Sequence, residues 1–139
     1  MEMKTLQILK SLFVGLALFS SLGQAEAQQS PPPYGKGVDM VRVVAIDNLG
    51  AEMDGLQGYT LRMFKLTLEP GGATTLHSHK DIPELAFVVQ GNITEHKGGT
   101  FKEYGPGEAF TATKETAHWF ENKGSSPAVF IGAIVVRQR

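Results

Sequence analysis

Cysteine is missing from the chain altogether. That excludes disulfides, thiolate metal ligands and a cysteine nucleophile. It also excludes the lipid-bearing cysteine that anchors a bacterial lipoprotein behind its leader, so no membrane anchor is expected after processing. Excess charge is missing as well. Thirteen Lys and Arg stand against fourteen Asp and Glu, a net charge of −1, with no block of one sign. Neither nucleic acid nor an anionic membrane surface is therefore expected as a partner. The most apolar run, residues 11–22, is too short to span a bilayer comfortably. No sustained helical period runs anywhere from residue 38 to the C-terminus. Histidine is scarce, four in 139 residues, and two of the four stand one residue apart.

The chain is long enough for one domain. Its start reads as a signal peptide over residues 1–27. Lys4 and Lys10 flank an apolar middle, and Ala25-Glu26-Ala27 offers a small-residue cleavage site after Ala27. A buried amphipathic helix is the alternative, but the three parts occur in the order a leader requires. A periplasmic or secreted protein is expected. The leader holds Glu2, Lys4, Lys10 and Glu26, two charges of each sign, so the mature chain keeps the net −1. Residues 28–40, rich in proline and glycine, read as a flexible lead-in.

From Val41 to Arg139 the texture is β. Runs rich in β-branched and aromatic residues fall at 41–46, 59–68, 85–90, 109–113, 118–122 and 128–136. Glycine-bearing turn signals separate them at 48–50, 69–72, 90–92, 97–99, 104–108 and 122–126. Short strands at such spacing predict an all-β sandwich or small barrel.

The stretch HSHKDIPE, residues 77–84, concentrates the chemistry. On a strand His77 and His79 point to one face. Asp81-Ile82-Pro83 breaks that strand, and Glu84 opens the next, where it returns to the same point. His118 lies on a later strand whose inward face it shares with Phe120 and Asn122. Three imidazoles and one carboxylate meeting in a barrel suit one divalent transition metal, Fe, Mn, Zn, Ni or Cu. An oxygen-only cation such as calcium fits poorly. His96, beside a Lys-Gly-Gly turn, is expected at an exposed hairpin position outside the site. Asn122 is expected as a turn residue.

Residues 71–91 read G-x5-H-x-H-x4-E-x6-G, with Gly71, His77, His79, Glu84 and Gly91 at the fixed positions. This resembles the first motif of the cupin superfamily. The second cupin motif is met in part by Gly107, His118 and Asn122. Thr113 stands where the family has proline and Glu115 where it has glycine, both in a turn rather than among ligands. The resemblance implies a cupin-type jelly-roll β-barrel, often dimeric. It implies metal binding at His77, His79, Glu84 and His118, with Gly71, Gly91 and Gly107 marking turns.

Alternation carries Ala86 and Val88 inward with Glu84. Thr75 shares a face with His77, Phe120 with His118, and Phe110 is placed beside them. Thr75, Ala86, Val88, Phe110 and Phe120 are thus the expected pocket, with Phe64 and Leu66 at its floor. Glu84 is the one candidate for acid–base work. Leu85, Phe87 and Val89 face the other way and need a cover, so a homodimer is expected. The function expected is that of a metal-dependent cupin acting on a small organic molecule, foremost an oxidoreductase of dioxygenase type. The alternatives are a non-enzymatic carrier or sensor of metal or small ligands, and a cupin lyase or isomerase.

Overall fold

The computed structural model describes residues 35–138. The expected signal peptide and residues 28–34 of the lead-in lie outside them. Nine strands run through the described residues: β1 Lys36–Ile46, β2 Tyr59–Ala73, β3 His77–Ser78, β4 Glu84–Gln90, β5 Ile93–Lys97, β6 Thr100–Tyr104, β7 Ala109–Ala112, β8 Ala117–Glu121 and β9 Ala128–Arg137. The helical content among these residues is one short 3-10 turn, Leu49–Ala51.

The strands form one antiparallel sheet in the order β6-β5-β8-β2-β9-β4-β7, with β1 added to β2 and β3 added to β8. It curls into a nearly closed barrel of jelly-roll type. β2 turns the corner: its first ten residues pair with β9, and beyond Glu69-Pro70-Gly71-Gly72 it reaches β8 at Ala73. The corner needs glycine. Gly71 has φ +70°, and a Cβ on Gly72 would lie 2.6 Å from the Gly37 carbonyl oxygen.

Alternation along β4 is as expected. Glu84, Ala86 and Val88 are buried, while Leu85, Phe87 and Val89 are exposed. The core gathers Leu68, Val88, Ile93, Phe110, Phe120 and Phe130 among others. Each such side chain removed from water stabilises the fold by about 1.5–3 kcal/mol. β1 begins at Lys36, five residues ahead of the β-branched run at 41–46, because its backbone pairs with β2 from Ala73 downward.

The sequence signals no strands at 93–97 or 100–104, yet β5 and β6 form a hairpin and β5 continues onto β8. This overturns the expected place of His96. It is 4% exposed. The β5–β8 register sets it opposite Trp119, and the two rings stack at 3.9 Å with 6° between planes. Its Nε2–H donates to Glu121 Oε1 at 2.7 Å. Two flat rings side by side on the outer face exclude water from each other, so the hairpin position is closed.

Candidate metal centre

β3 is only two residues long, and His79 lies just past its end. The pair is positioned all the same. His77 stands directly across from His118 in the β3–β8 ladder, and the His79 amide donates to the Thr116 carbonyl at 2.9 Å. Before β8 the chain turns through Thr113–Thr116, where the second motif departs from the family pattern. Thr116 Oγ1 accepts from the Thr113 amide at 3.0 Å, and the Thr116 amide donates to the Thr113 carbonyl at 2.8 Å. A buried threonine hydroxyl thus closes a turn that lacks the family's proline and glycine.

The three imidazoles lie with ring centroids 4.7–5.0 Å apart. One ligating nitrogen from each falls within 4.8 Å of the others, the spacing of a group able to hold a metal ion. Each ring's other nitrogen is already engaged. His77 Nδ1 lies 3.0 Å from the Thr75 carbonyl oxygen, and His79 Nδ1 lies 2.7 Å from that of Ile82. His118 Nδ1 lies 2.6 Å from Glu95 Oε1. All three partners are acceptors, so all three Nδ1 atoms carry the proton and donate. The lone pairs are left on the Nε2 atoms.

His79 Nε2 and His118 Nε2 then face each other at 2.9 Å, lone pair to lone pair. Two nitrogens each about 2.0–2.1 Å from one ion stand about 3 Å apart, so a shared cation fits the spacing and removes the repulsion. Glu84 completes the picture. Its Oε2 lies 3.3 Å from His79 Nε2, and its Oε1 is buried with no hydrogen-bond partner. Burial, and after it the charge of Glu95, pushes the Glu84 carboxyl up to about 7. Burial also lowers His77 and His79 from the usual imidazole range. A dry acid that resists charging and bare imidazole lone pairs both call for a positive ion. The tightest cluster is the three histidines; Glu84 adjoins it through His79.

Glu95 and Tyr104 belong to this centre, although nothing local in the sequence marks them. The Tyr104 hydroxyl donates to Glu95 Oε2 at 3.0 Å. Burial opposes charge on Glu95, but the hydrogen bonds from His118 and Tyr104 outweigh it and hold the carboxyl below its ordinary range. Tyr104 is pushed up to about 12, by burial first and then by Glu95, and stays a neutral donor. The one available signal is period two: Glu95 shares a face with the buried Ile93.

A cavity of about 350 Å³ opens beside the imidazoles. Thr75 and Phe120, both expected there, line it, and so do Phe64 and Leu66. Ala86, Val88 and Phe110 do not; they are packed into the core cluster below. Their strands point them inward, where they share the core cluster with Phe120 and Phe130, and Phe110 is in ring contact with both at 5.0 and 5.4 Å. Val38, Met40, Ile82, Phe130 and Ile134 line it instead. Asn122 is a turn residue as expected: its side-chain amide donates to the Leu68 and Ser126 carbonyls, and its Oδ1 accepts from the Gly124 amide.

Known proteins agree with this architecture. A germin-like protein 5-1 of Oryza sativa subsp. japonica is 30% identical over 88 residues, 59% of this chain and 39% of that one. The chain thus spans about two fifths of that relative's length. A predicted oxalate decarboxylase from Thermotoga maritima superposes with TM-score 0.59 at 21% identity, covering 78% of this chain and 94% of that one. The polyketide cyclase RemF of Streptomyces resistomycificus gives 0.60 at 18% identity, covering 80% and 72%. At such identities the two structures share the fold. The cupin domain model matches residues 64–136, more than half of the sequence and the whole of the histidine cluster, and the chain belongs to the cupin family.

Proposed function

We propose that the chain is a metal-dependent cupin acting on a small organic molecule, with one divalent transition metal held by His77, His79, Glu84 and His118. One observation carries the reading: each imidazole has its Nδ1 tied to an acceptor, and the three rings bring one nitrogen apiece within 4.8 Å of one another. Fe, Mn, Zn, Ni and Cu all accept such a donor set. A bound metal of this kind supplies Lewis-acid or dioxygen chemistry to a molecule beside it. Oxidoreductase chemistry of dioxygenase type is the first reading, because three imidazoles and a carboxylate leave coordination positions open. Decarboxylase and cyclase chemistry, named for two similar structures, are the competing enzyme classes.

The chain's own residues divide the remaining work. The Thr75 and Ile82 carbonyls and Glu95 fix the imidazole orientations. Phe64, Phe120 and Phe130 keep water from the inner wall of the cavity. Glu84 can hold or pass a proton at Oε1 only when detached from the ion, because a bound divalent cation keeps the carboxyl ionised. Besides the imidazoles, Glu84 is the one ionisable side chain among the described residues that line the cavity. That scarcity favours the second reading, a carrier or sensor that binds without turnover. The proposal includes export behind residues 1–27, with a mature chain starting at Gln28 outside the cytoplasm, and a homodimer.

The test is direct. Protein purified without chelator should carry about one transition-metal ion per chain, and His79→Ala should lose it while keeping the far-ultraviolet spectrum of a β-protein. Oxygen uptake with small oxygenated substrates then separates enzyme from carrier. Wild-type protein that refuses every one of the five metals would sink the reading.

A further inference from the structure

The lining of the cavity says what kind of molecule fits. About 350 Å³ is near the lower end of small-molecule sites, room for one ring and a short chelating group. One side is polar, with His77, His79 and Glu84. The remainder is mostly apolar, with Val38, Met40, Phe64 and Ile134 from three different strands. Among the described residues no lysine, arginine, asparagine or glutamine lines it. Of the two threonines there, Thr74 has its hydroxyl committed to the Phe120 amide at 2.9 Å.

The charge balance follows. On the metal reading Glu84 would already offset part of the charge of a divalent ion, and Glu95 stands behind His118. A ligand with a second carboxylate would set that charge against Phe, Ile and Met with no cation facing it, an expensive burial. Among the described residues the one rival is Arg62. It and Glu84 both pair with Ile134, from opposite sides, so the three share a row on the inward face. The Arg62 Nε is buried without a partner. Arg62 is not among the lining residues, however; Ile134 stands between it and Glu84.

We propose that the cavity takes a ring-sized, largely apolar molecule with a single oxygen-bearing head, oxygens toward the imidazoles and ring between Val38, Phe64 and Ile134, and that it rejects ligands with an added carboxylate. The oxygen end rests on the metal reading above; the apolar end rests on the cavity alone.

Three hydroxamates with one common head group test it by calorimetry on metal-loaded protein. Benzohydroxamate should bind about tenfold or more tighter than acetohydroxamate, because only the first has a ring to bury. Adding a carboxylate, as 4-carboxybenzohydroxamate, should lose about tenfold or more again. Val38→Trp, at the exposed rim, should erase the ring's advantage and bring benzohydroxamate down to the affinity of acetohydroxamate. Arg62→Gln should leave the discrimination against the carboxylate intact. No gain from the ring overturns the proposal. So does a 4-carboxy compound that binds as tightly as the parent and weakens in Arg62→Gln. Should the protein retain no metal, the metal reading alone falls. The cavity is then scored on metal-free protein by broadening of the benzohydroxamate ring resonances: broadening lost in Val38→Trp supports it, and no broadening in the wild type overturns it.

Discussion

Glu95 governs how His118 presents its Nε2. The bond from His118 Nδ1 is 2.6 Å and fully buried, and the Tyr104 hydroxyl pins the other carboxylate oxygen at 3.0 Å. An anion behind an imidazole raises its basicity and fixes its ring, which is how outer partners tune a metal ligand. Glu95→Gln keeps the shape and an accepting oxygen but removes the charge. Metal affinity, measured against a competing chelator, should fall about 10–100-fold. Tyr104→Phe leaves the carboxylate in place and should fall by less. A Glu95→Gln protein that binds metal as tightly as wild type would show that His118 needs no anion behind it. Of these residues, the ligand candidates His77, His79 and Glu84 are legible in the sequence because one strand, one turn and the start of the next strand carry them. Glu95 is not. Its approach to His118 depends on the β5–β8 register, a pairing between segments more than twenty residues apart that local spacing cannot encode.

At the scale of elements, β9 makes room for the site. Gly132 stands opposite Phe64 on β2 and Ala86 on β4. A Cβ there would run into the Phe64 ring and come within 3.0 Å of Glu84 Oε1. Gly132→Ala should therefore destabilise by about 1–3 kcal/mol through overpacking, seen as a lower melting temperature. Gly132→Ala with Phe64→Leu should recover part of the loss, since the smaller side chain vacates the contested space. A single variant that melts like wild type would mean the β2–β9 spacing yields freely. This glycine is silent in the sequence, sitting inside an apolar run where nothing distinguishes it from a β-branched position. The runs that became β2, β4, β7, β8 and β9 are legible because they alternate or are rich in β-branched residues. β5 and β6 are not: Thr94-Glu95-His96-Lys97 and Thr100-Phe101-Lys102-Glu103 are too polar to show a buried face. The contribution of β1 to the cavity is hidden for a different reason. Val38 and Met40 reach it only because β1 pairs with β2 from Val38↔Leu68 to Met40↔Leu66.

At the scale of the whole molecule, the described residues leave an apolar surface exposed on the side away from the cavity. On the outer face the row Met63–Ala133–Leu85 crosses β2, β9 and β4, and the next row brings Ile131 beside Phe87. Leu85 is 65% exposed and Phe87 48%. A contiguous patch of this kind marks an interaction surface. A second copy is the occupant we favour: two such sheets related by a two-fold axis place the same rows against each other, as a closed dimer requires. Lys65, the charged residue in the second row, stands beside Ile131 at its margin. The expected result from light scattering on the metal-loaded protein is twice the mass of one chain. Phe87→Lys should return it to the mass of one chain by setting two like charges into a dry interface. Because Phe87 points away from the imidazoles, the variant should keep its metal, which separates loss of assembly from loss of the site. Wild-type protein that scatters as a single chain at high concentration would remove the second copy, and the patch would then need a different partner.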